Sequence, residues 1–302
     1  MRYDDDQWEI TTSVGATALA VAAARAVESR QPNPLVADPY ADSFVTAAEA
    51  ALHRPLRWKD PDPTTKSDAS ATDDPAQDWR IGTTYIGVRS RYFDHFFAEA
   101  TEAGIRQAVI LAAGLDTRAL RLAWPEHSVV YEVDQPLVLR FKDQVLGEHA
   151  ASAGGHRVTV PTDLRRDWPA ALRASGFDRG VPTAWLAEGL LPYLPPQAQE
   201  NLFDLVDQLS GPGSRIAVEY FADLRNLRAD RDFTPLTALF DINLRDLIYP
   251  DPEANPVERL AARGWSVTPS VAAEVAQRYG RPLVGHTTAS VGKASFLTAR
   301  KP

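Results

Sequence analysis

The sequence predicts an α/β fold in which a doubly wound, mostly parallel sheet of seven strands carries an N-terminal helical cap. Apolar runs such as Val109–Leu111 and Val129–Tyr131 are short, and their lack of alternation is typical of strands buried on both faces. Stretches with helical periodicity separate these runs, and this alternation favours parallel strands joined by crossover helices. Because 302 residues can bury one large core, we expect a single domain over residues 1–302.

Residues 1–80 are predicted to form the helical cap. An alanine-rich stretch from Ser13 to Ser29 predicts the first helix. Asp38 and Pro39 open a second helix, since proline is favoured in the first turn. Residues 55–78 are rich in proline, aspartate, threonine and serine, so we expect an exposed, mobile loop there.

Residues 81–302 are predicted to form the core of the domain. A pair of helices is expected from Gly82 to Ala103, ahead of the first strand. Residues 221–255 interrupt the alternation of strands and helices, which predicts a lid inserted over the strand ends. The predicted strands run over Val109–Leu111, Val129–Asp134, Val158–Val160, Thr183–Glu188, Arg215–Tyr220, Trp265–Thr268 and Ala294–Ala299. The predicted helices between them run over Gln135–His149, Trp168–Ser175, Pro195–Leu209 and Val257–Ala262.

Composition and charge argue against several classes of protein. The chain contains no cysteine, which excludes disulfides and thiolate metal sites and fits a reducing cytoplasm. The formal net charge is −8, and no basic cluster is long enough to indicate a nucleic-acid partner. The histidines show no metal-ligand spacing, so no metal is expected. The acidic residues Asp4–Asp6 stand where a signal peptide would be basic, so export is not expected. The longest apolar stretch is too short to span a bilayer, so no membrane partner is expected.

Acidic residues follow four consecutive predicted strands. Asp116 comes after the first strand, Asp134 ends the second, Asp163 follows the third and Glu188 ends the fourth. The carboxyl ends of parallel strands meet at one edge of a sheet, so a cationic ligand or a basic partner would have to neutralise these acids. Asp134 is suited to a ribose diol, because a carboxylate accepts hydrogen bonds from two hydroxyls. This pattern predicts a cofactor that contains a nucleoside.

The loop after the first strand indicates which nucleoside cofactor to expect. Ala112, Ala113 and Gly114 lack bulk, so a ligand can approach the main chain closely. A dinucleotide fingerprint needs three glycines at set spacing. This loop has one, and Asp116 stands where it would repel a phosphate. A sulfonium cofactor such as S-adenosylmethionine carries no phosphate and tolerates nearby acids, so we predict that cofactor.

The chain also resembles a known family over nearly its whole length. The family is that of the leucine carboxyl methyltransferase-like S-adenosylmethionine-dependent methyltransferases, and the resemblance is to its actinobacterial branch. The segments that carry the resemblance are Val14–Ala18, Arg89–Asp94, Ala112–Arg118, Tyr131–Pro136, Thr162–Leu164 and Ala187–Leu194. The resemblance implies the Rossmann-like fold of class I methyltransferases and methyl transfer from S-adenosylmethionine.

For the methionine end of the cofactor, the resemblance implies four binding residues. Arg89 would pair with the cofactor carboxylate, a task that suits a planar guanidinium. Glu188 would bind the ammonium group. Ala112 and Gly114 would present their backbone to the methionine chain.

For the nucleoside end, the resemblance implies three more. Asp134 would hold the ribose hydroxyls, with Glu132 as a less favoured substitute. Asp163 would accept a hydrogen bond from the adenine amino group, while Leu164 would donate its backbone N–H and cover the ring. Asp116 and Arg118 would either belong to the site or brace the loop through a salt bridge.

The acceptor is expected to be a small molecule that is methylated on a carboxylate or hydroxyl oxygen. A carboxylate needs no general base, because it is ionised at neutral pH. Tyr193 and Tyr220 lie just past strand ends and are the candidate catalytic residues that would line the acceptor site. Two alternatives stay open: a nicotinamide-dependent oxidoreductase, and a protein that binds the cofactor without catalysing a reaction.

Overall fold

The computed structural model describes residues 13–53, 75–147, 156–221, 244–249, 255–283 and 293–302, together with Ile10 and Leu56. Most of the loop predicted at 55–78 and most of the lid predicted at 221–255 lie outside these residues. Within the described part of the chain, no helix is both long enough and apolar enough to cross a lipid bilayer.

Seven strands form one mixed sheet, as the sequence predicted. They are β1 (Gln107–Leu111), β2 (Val129–Asp134), β3 (His156–Pro161), β4 (Thr183–Ala187), β5 (Arg215–Phe221), β6 (Ser266–Val271) and β7 (Ala294–Arg300), in the spatial order β3-β2-β1-β4-β5-β7-β6. Neighbours among β1 to β5 are parallel, and β7 runs antiparallel to both β5 and β6. The strand order reverses between β1 and β4, which is where ligands bind in open α/β sheets.

Helices cover both faces of this sheet. They are α1 (Ser13–Glu28), α2 (Ala41–Leu52), α3 (Pro75–Glu102), α4 (Arg118–Arg121), α5 (Pro136–Leu146), α6 (Trp168–Ala174), α7 (Pro196–Leu209), α8 (Leu244–Leu247), α9 (Pro256–Ala262) and α10 (Ala272–Arg278). One apolar cluster packs α1, α2, α3, α5 and α10 on one face, and a second packs α6, α7 and α9 on the other. In β1, Ala108 and Ile110 join the first cluster, whereas Val109 and Leu111 join the second. This burial on both faces explains why the apolar run of β1 has no alternation.

The structure corrects the prediction of a helix pair at Gly82–Ala103. The single helix α3 runs from Pro75 to Glu102 without a break, so residues 75–78 also belong to a helix and not to the predicted loop. Gly87 of α3 does not interrupt the helix but allows close packing on α1. A Cβ atom at Gly87 would lie 2.9 Å from Cδ of Glu28. The short helices α4 and α10 were not predicted from the sequence.

Candidate functional site

A cavity of about 620 Å³ lies at the carboxyl ends of the parallel strands, around the point where the strand order reverses. This volume is within the usual range for sites that bind small molecules and cofactors. The cavity is lined by all seven predicted cofactor-binding residues and by one of the two predicted catalytic tyrosines. These residues are Arg89, Ala112, Gly114, Asp134, Asp163, Leu164, Glu188 and Tyr193.

Two residues of the loop after β1 have a left-handed backbone conformation. Gly114 has φ of +48°, and Ala112 has φ of +51°, a conformation that costs a residue with a side chain about 1 kcal/mol or more. A Cβ atom at Gly114 would lie 3.3 Å from the Cβ of Ala18 in α1. The lack of a side chain at Gly114 therefore lets α1 approach the loop as well as leaving the backbone open to the cavity.

Asp134, at the end of β2, accepts two backbone hydrogen bonds. The Gly114 N–H donates to Oδ2 and the Gln135 N–H donates to Oδ1, each at 2.6 Å. Burial raises the pKa of Asp134 to about 6, and these hydrogen bonds only partly offset that effect. Among the described residues, no arginine or lysine forms a salt bridge with Asp134. Its carboxylate keeps lone pairs that can accept from further donors.

Glu188, at the end of β4, lies between two buried arginines. Its Oε1 lies 2.8 Å from Nε of Arg89, and its Oε2 lies 2.6 Å from Nη1 of Arg118. The same Nη1 also forms a salt bridge with Asp116, while Nε of Arg118 donates to Asp94 at 2.7 Å. Burial by itself raises the pKa of Asp116, but neighbouring positive charges, above all Arg118, lower it to about 2. Asp116 and Arg118 thus form the salt bridge across the loop, which is one of the two roles that the sequence analysis considered for them.

Basic side chains neutralise most of the acids at the strand ends. Asp163 forms a salt bridge with Arg165 at 2.6 Å and accepts from Nε2 of Gln135 at 3.0 Å. Together with the pairs of Asp116 and Glu188, this leaves Asp134 as the acid of the predicted four that has no basic partner among the described residues. The substitute ribose ligand Glu132 is fully buried against Lys142 and Arg157, away from the cavity.

The structure does not bring Tyr220 to the cavity, so its predicted place in the acceptor site is wrong. Successive residues of a strand point to opposite faces. Tyr220 packs against the apolar cluster that contains α6 and α7, whereas its neighbours Glu219 and Phe221 line the cavity. Sequence reasoning missed Glu219, although the rule that found Glu188, an acid near the end of a parallel strand, also applies to it.

Glu219 is a hub of four hydrogen bonds. Its side chain is 1% exposed. It accepts from the Tyr85 hydroxyl at 2.5 Å, from Nη1 of Arg89 at 2.9 and 3.1 Å, and from the Gly189 N–H at 2.7 Å. Arg89 is therefore held by hydrogen bonds through Nη1 and by the ion pair with Glu188 through Nε, while its Nη2 makes no hydrogen bond with any described residue.

Tyr193 lies in a 3₁₀ turn (Leu191–Tyr193) that follows β4. Nε2 of Gln199 in α7 donates to the carbonyls of Leu191 and Leu194, each at 3.0 Å, which fixes both ends of this turn. The Tyr249 N–H donates to the Pro192 carbonyl at 2.9 Å. Residues 244–249, a described segment of the predicted lid, therefore contact, through Tyr249, the turn that carries Tyr193.

These residues form a set of groups that fits S-adenosylmethionine. Asp134 offers a carboxylate without a basic partner to a ribose diol, and Nη2 of Arg89 offers a cation to a carboxylate. Leu164 and Val138 add apolar surface to the cavity wall. A pyrophosphate would instead meet the carboxylate of Asp116 at this loop, so a cofactor without phosphate fits better.

The sequence is similar to proteins of a known family. Residues 18–207 match the leucine carboxyl methyltransferase family. A protein of Mycobacteroides abscessus named "Putative S-adenosyl-L-methionine-dependent methyltransferase" is 45% identical over 314 residues, covering 99% of each chain. A protein of Rhodococcus jostii with a name of the same form is 47% identical over 308 residues, covering 100% of each chain. Among solved structures, magnesium protoporphyrin IX methyltransferase of Synechocystis is 13% identical with a TM-score of 0.45, covering 86% of this chain and 97% of that chain.

Proposed function

This chain belongs to the leucine carboxyl methyltransferase family and is an S-adenosylmethionine-dependent methyltransferase, and from that premise we propose that it methylates an oxygen of a small-molecule acceptor. The acceptor oxygen belongs to a carboxylate or a hydroxyl. Membership of this family excludes the alternative of a nicotinamide-dependent oxidoreductase. The alternative of a protein that only binds the cofactor is tested by the turnover experiment below.

In this proposal, the residues of the cavity bind the cofactor along the ends of β1 to β4. The methionine carboxylate meets Arg89, and the ammonium group meets Glu188. The backbone at Ala112 and Gly114 lies beside the methionine chain, where Ala18 already packs closely on the loop.

The nucleoside lies toward β2 and β3 in the same proposal. The ribose hydroxyls donate to Asp134, the described acid without a basic partner. The adenine lies against Leu164 and beside Asp163. Asp163 already accepts from Arg165 and Gln135, and its remaining lone pairs accept from the adenine amino group in this proposal. The backbone N–H of Leu164 donates to a ring nitrogen.

The bound cofactor supplies an activated methyl group on a sulfonium, so the protein has mainly to align the acceptor oxygen and exclude water. One observation favours an acceptor that arrives already ionised. Five acids among the described residues line the cavity, and all except Asp134 form salt bridges with arginine: Asp116, Asp163, Glu188 and Glu219. The arginine partners of Asp116 and Asp163 lower the pKa of both carboxyls, to about 2 for Asp116, so these two are weak bases. A carboxylate acceptor needs no such base.

The acceptor wall in this proposal comes from the segment after β4 and from residues 244–249. Tyr193, Pro192, Ile248, Tyr249 and Phe221 all line the cavity. Tyr193 has a phenol that can donate to an acceptor oxygen, and the two hydrogen bonds from Gln199 fix the turn that positions it. We therefore retain Tyr193 as the candidate catalytic residue.

The test is an acceptor panel of small carboxylic acids, phenols, alcohols and amines, with release of S-adenosylhomocysteine as the signal. With a methyl-labelled cofactor, mild base applied to the product separates the classes, because a methyl ester releases methanol whereas ethers and methylamines are stable. We expect turnover with an oxygen acceptor, and a base-labile product for a carboxylate. Label recovered only in N-methyl or C-methyl products would contradict the proposal, and binding without turnover across the panel would favour a cofactor-binding protein.

The pKa of Asp134 predicts how cofactor binding depends on pH. Its pKa in the folded protein, about 6, is above the value near 3.9 expected for an unfolded chain. The contribution of Asp134 to stability is thus present below about pH 4 and is lost as the pH rises through about 6. Only the ionised form accepts from both ribose hydroxyls, so affinity for S-adenosylhomocysteine should rise several-fold between pH 5 and pH 7. Calorimetric titration with S-adenosylhomocysteine between pH 5 and pH 7 measures this change in affinity. An affinity that does not change with pH would mean that Asp134 is not the ribose ligand.

A further inference from the structure

We propose that Glu219 and Tyr85 form a positioning pair that aims the guanidinium of Arg89 at the carboxylate of the cofactor. This inference depends on the proposed function only in placing that carboxylate at Arg89. Neither residue is proposed to touch the cofactor or the acceptor. They act through Arg89.

The geometry of Arg89 shows why such a pair is needed. An arginine side chain has several rotatable bonds, and ordering it costs conformational entropy when a ligand binds. In α3, Nε of Arg89 lies 2.8 Å from Glu188, and Nη1 donates to both oxygens of Glu219. With two of its three nitrogens fixed, the guanidinium plane is set before a ligand arrives, and Nη2 is the nitrogen that remains for one.

The carboxylate of Glu219, on β5, is held by donors from α3 and from the segment after β4. It accepts from Tyr85, one turn before Arg89 on α3, and from the Gly189 N–H in the segment after β4. Burial raises the pKa of Tyr85 well above its usual range, so its hydroxyl stays protonated and keeps donating. Gly189 has φ of +61°, which lets its N–H turn toward the carboxylate. The position of Arg89 is therefore defined relative to both β4 and β5.

The charge of Glu219 is as important as its position. Arg89 is 7% exposed, and a buried guanidinium with one anionic partner fewer would bind the remaining acid, Glu188, more strongly. Glu188 would then be less available to the ammonium group of the cofactor. With Glu219 in place, Glu188 shares Arg89 with a second carboxylate and stays at the cavity wall.

The test compares Glu219→Gln with Glu200→Gln by calorimetric titration with two ligands. Glu200 lies on α7 and pairs with Arg259 and Arg263, so this control removes a carboxylate from an ion pair elsewhere. S-adenosylhomocysteine carries the amino-acid carboxylate, and 5′-methylthioadenosine lacks it. We expect Glu219→Gln to weaken S-adenosylhomocysteine about ten- to hundredfold, as for a lost charged hydrogen bond, and to leave 5′-methylthioadenosine unchanged. Equal losses for both ligands, or no loss for either, would overturn the inference.

Two further variants keep the result interpretable. Tyr85→Phe preserves the packing on Phe296, whose ring centroid lies 6.1 Å away, and should weaken S-adenosylhomocysteine about two- to tenfold. In an Arg89→Ala background, Glu219→Gln should cause no further loss, because the pair acts through Arg89. A full additional loss in that background would overturn the inference. If the wild type binds S-adenosylhomocysteine no more tightly than 5′-methylthioadenosine, both this inference and the placement of the cofactor carboxylate at Arg89 are overturned. If only the proposed O-methylation is wrong, these binding results stay as expected and the failure appears in the acceptor panel.

Discussion

Replacing Asp134 with asparagine is expected to weaken binding of S-adenosylmethionine about a hundredfold or more. The carboxylate of Asp134 can accept two charge-assisted hydrogen bonds from the ribose, each worth about 1.5–3 kcal/mol. An asparagine offers one oxygen, and its amide NH₂ would face the N–H of Gly114 or Gln135, each of which now donates to the carboxylate at 2.6 Å. Calorimetric titration of wild type and variant measures the loss.

The matched control for this prediction is Asp143→Asn. Asp143 lies on α5 and forms an exposed ion pair with Arg157 at 2.7 Å, so the same chemical change occurs outside the cavity. The control should bind like the wild type, and the variant should keep a cooperative thermal transition. If Asp134→Asn is folded and binds as tightly as the wild type, Asp134 is not the ribose ligand.

Replacing Arg118 with leucine is expected to have the largest effect on stability, lowering the free energy of unfolding by about 3–5 kcal/mol, as when one partner of a buried ion pair is removed. The guanidinium is 3% exposed and contacts Asp94, Asp116 and Glu188. Without it, Asp94 keeps Arg121 and Glu188 keeps Arg89, but Asp116 has no other salt bridge among the described residues. Urea denaturation followed by tryptophan fluorescence measures the change.

An exposed ion pair provides the comparison for Arg118. Arg30 is 46% exposed and lies 2.6 Å from Asp42, and Arg30→Leu should cost no more than about 1 kcal/mol. Similar losses for the two variants would mean that the buried network does not stabilise the strand-end loop. A small loss for Arg118→Leu would lead to the same conclusion.

The fold and the convergence of the strand-end acids on one cavity were predictable because local patterns determine them. Apolar runs without alternation marked strands buried on both faces, and acids at their ends converged on one cavity once the strands were parallel. The rule that acids near the ends of parallel strands face one cavity applies to Glu219 as well. The alternation of β5 places Glu219 on the cavity face of the sheet and Tyr220 on the opposite face. Tyr220 packs there against the apolar cluster on that other face of the sheet.

Contacts between distant parts of the chain could not be predicted from the sequence. The sequence predicted a helix pair from Gly82 to Ala103, but the single helix α3 continues through Gly87, which makes room for Glu28, 59 positions earlier in the chain. The strand-end acids suggested a cationic ligand, but arginines pair with three of the predicted four: the buried Arg89 and Arg118 with Glu188, Arg118 with Asp116, and the more exposed Arg165 with Asp163. Which arginine meets which acid depends on how α3 and the loop after β1 pack together. No periodicity of the sequence encodes that packing.

The most direct test of the central claim is a crystal structure of the protein with S-adenosylhomocysteine. We predict that both ribose hydroxyls lie within hydrogen-bonding distance of the Asp134 carboxylate and that the amino-acid carboxylate contacts Nη2 of Arg89, with the amino group at Glu188. A ligand bound in another part of the cavity, or a ribose turned away from Asp134, would contradict the account.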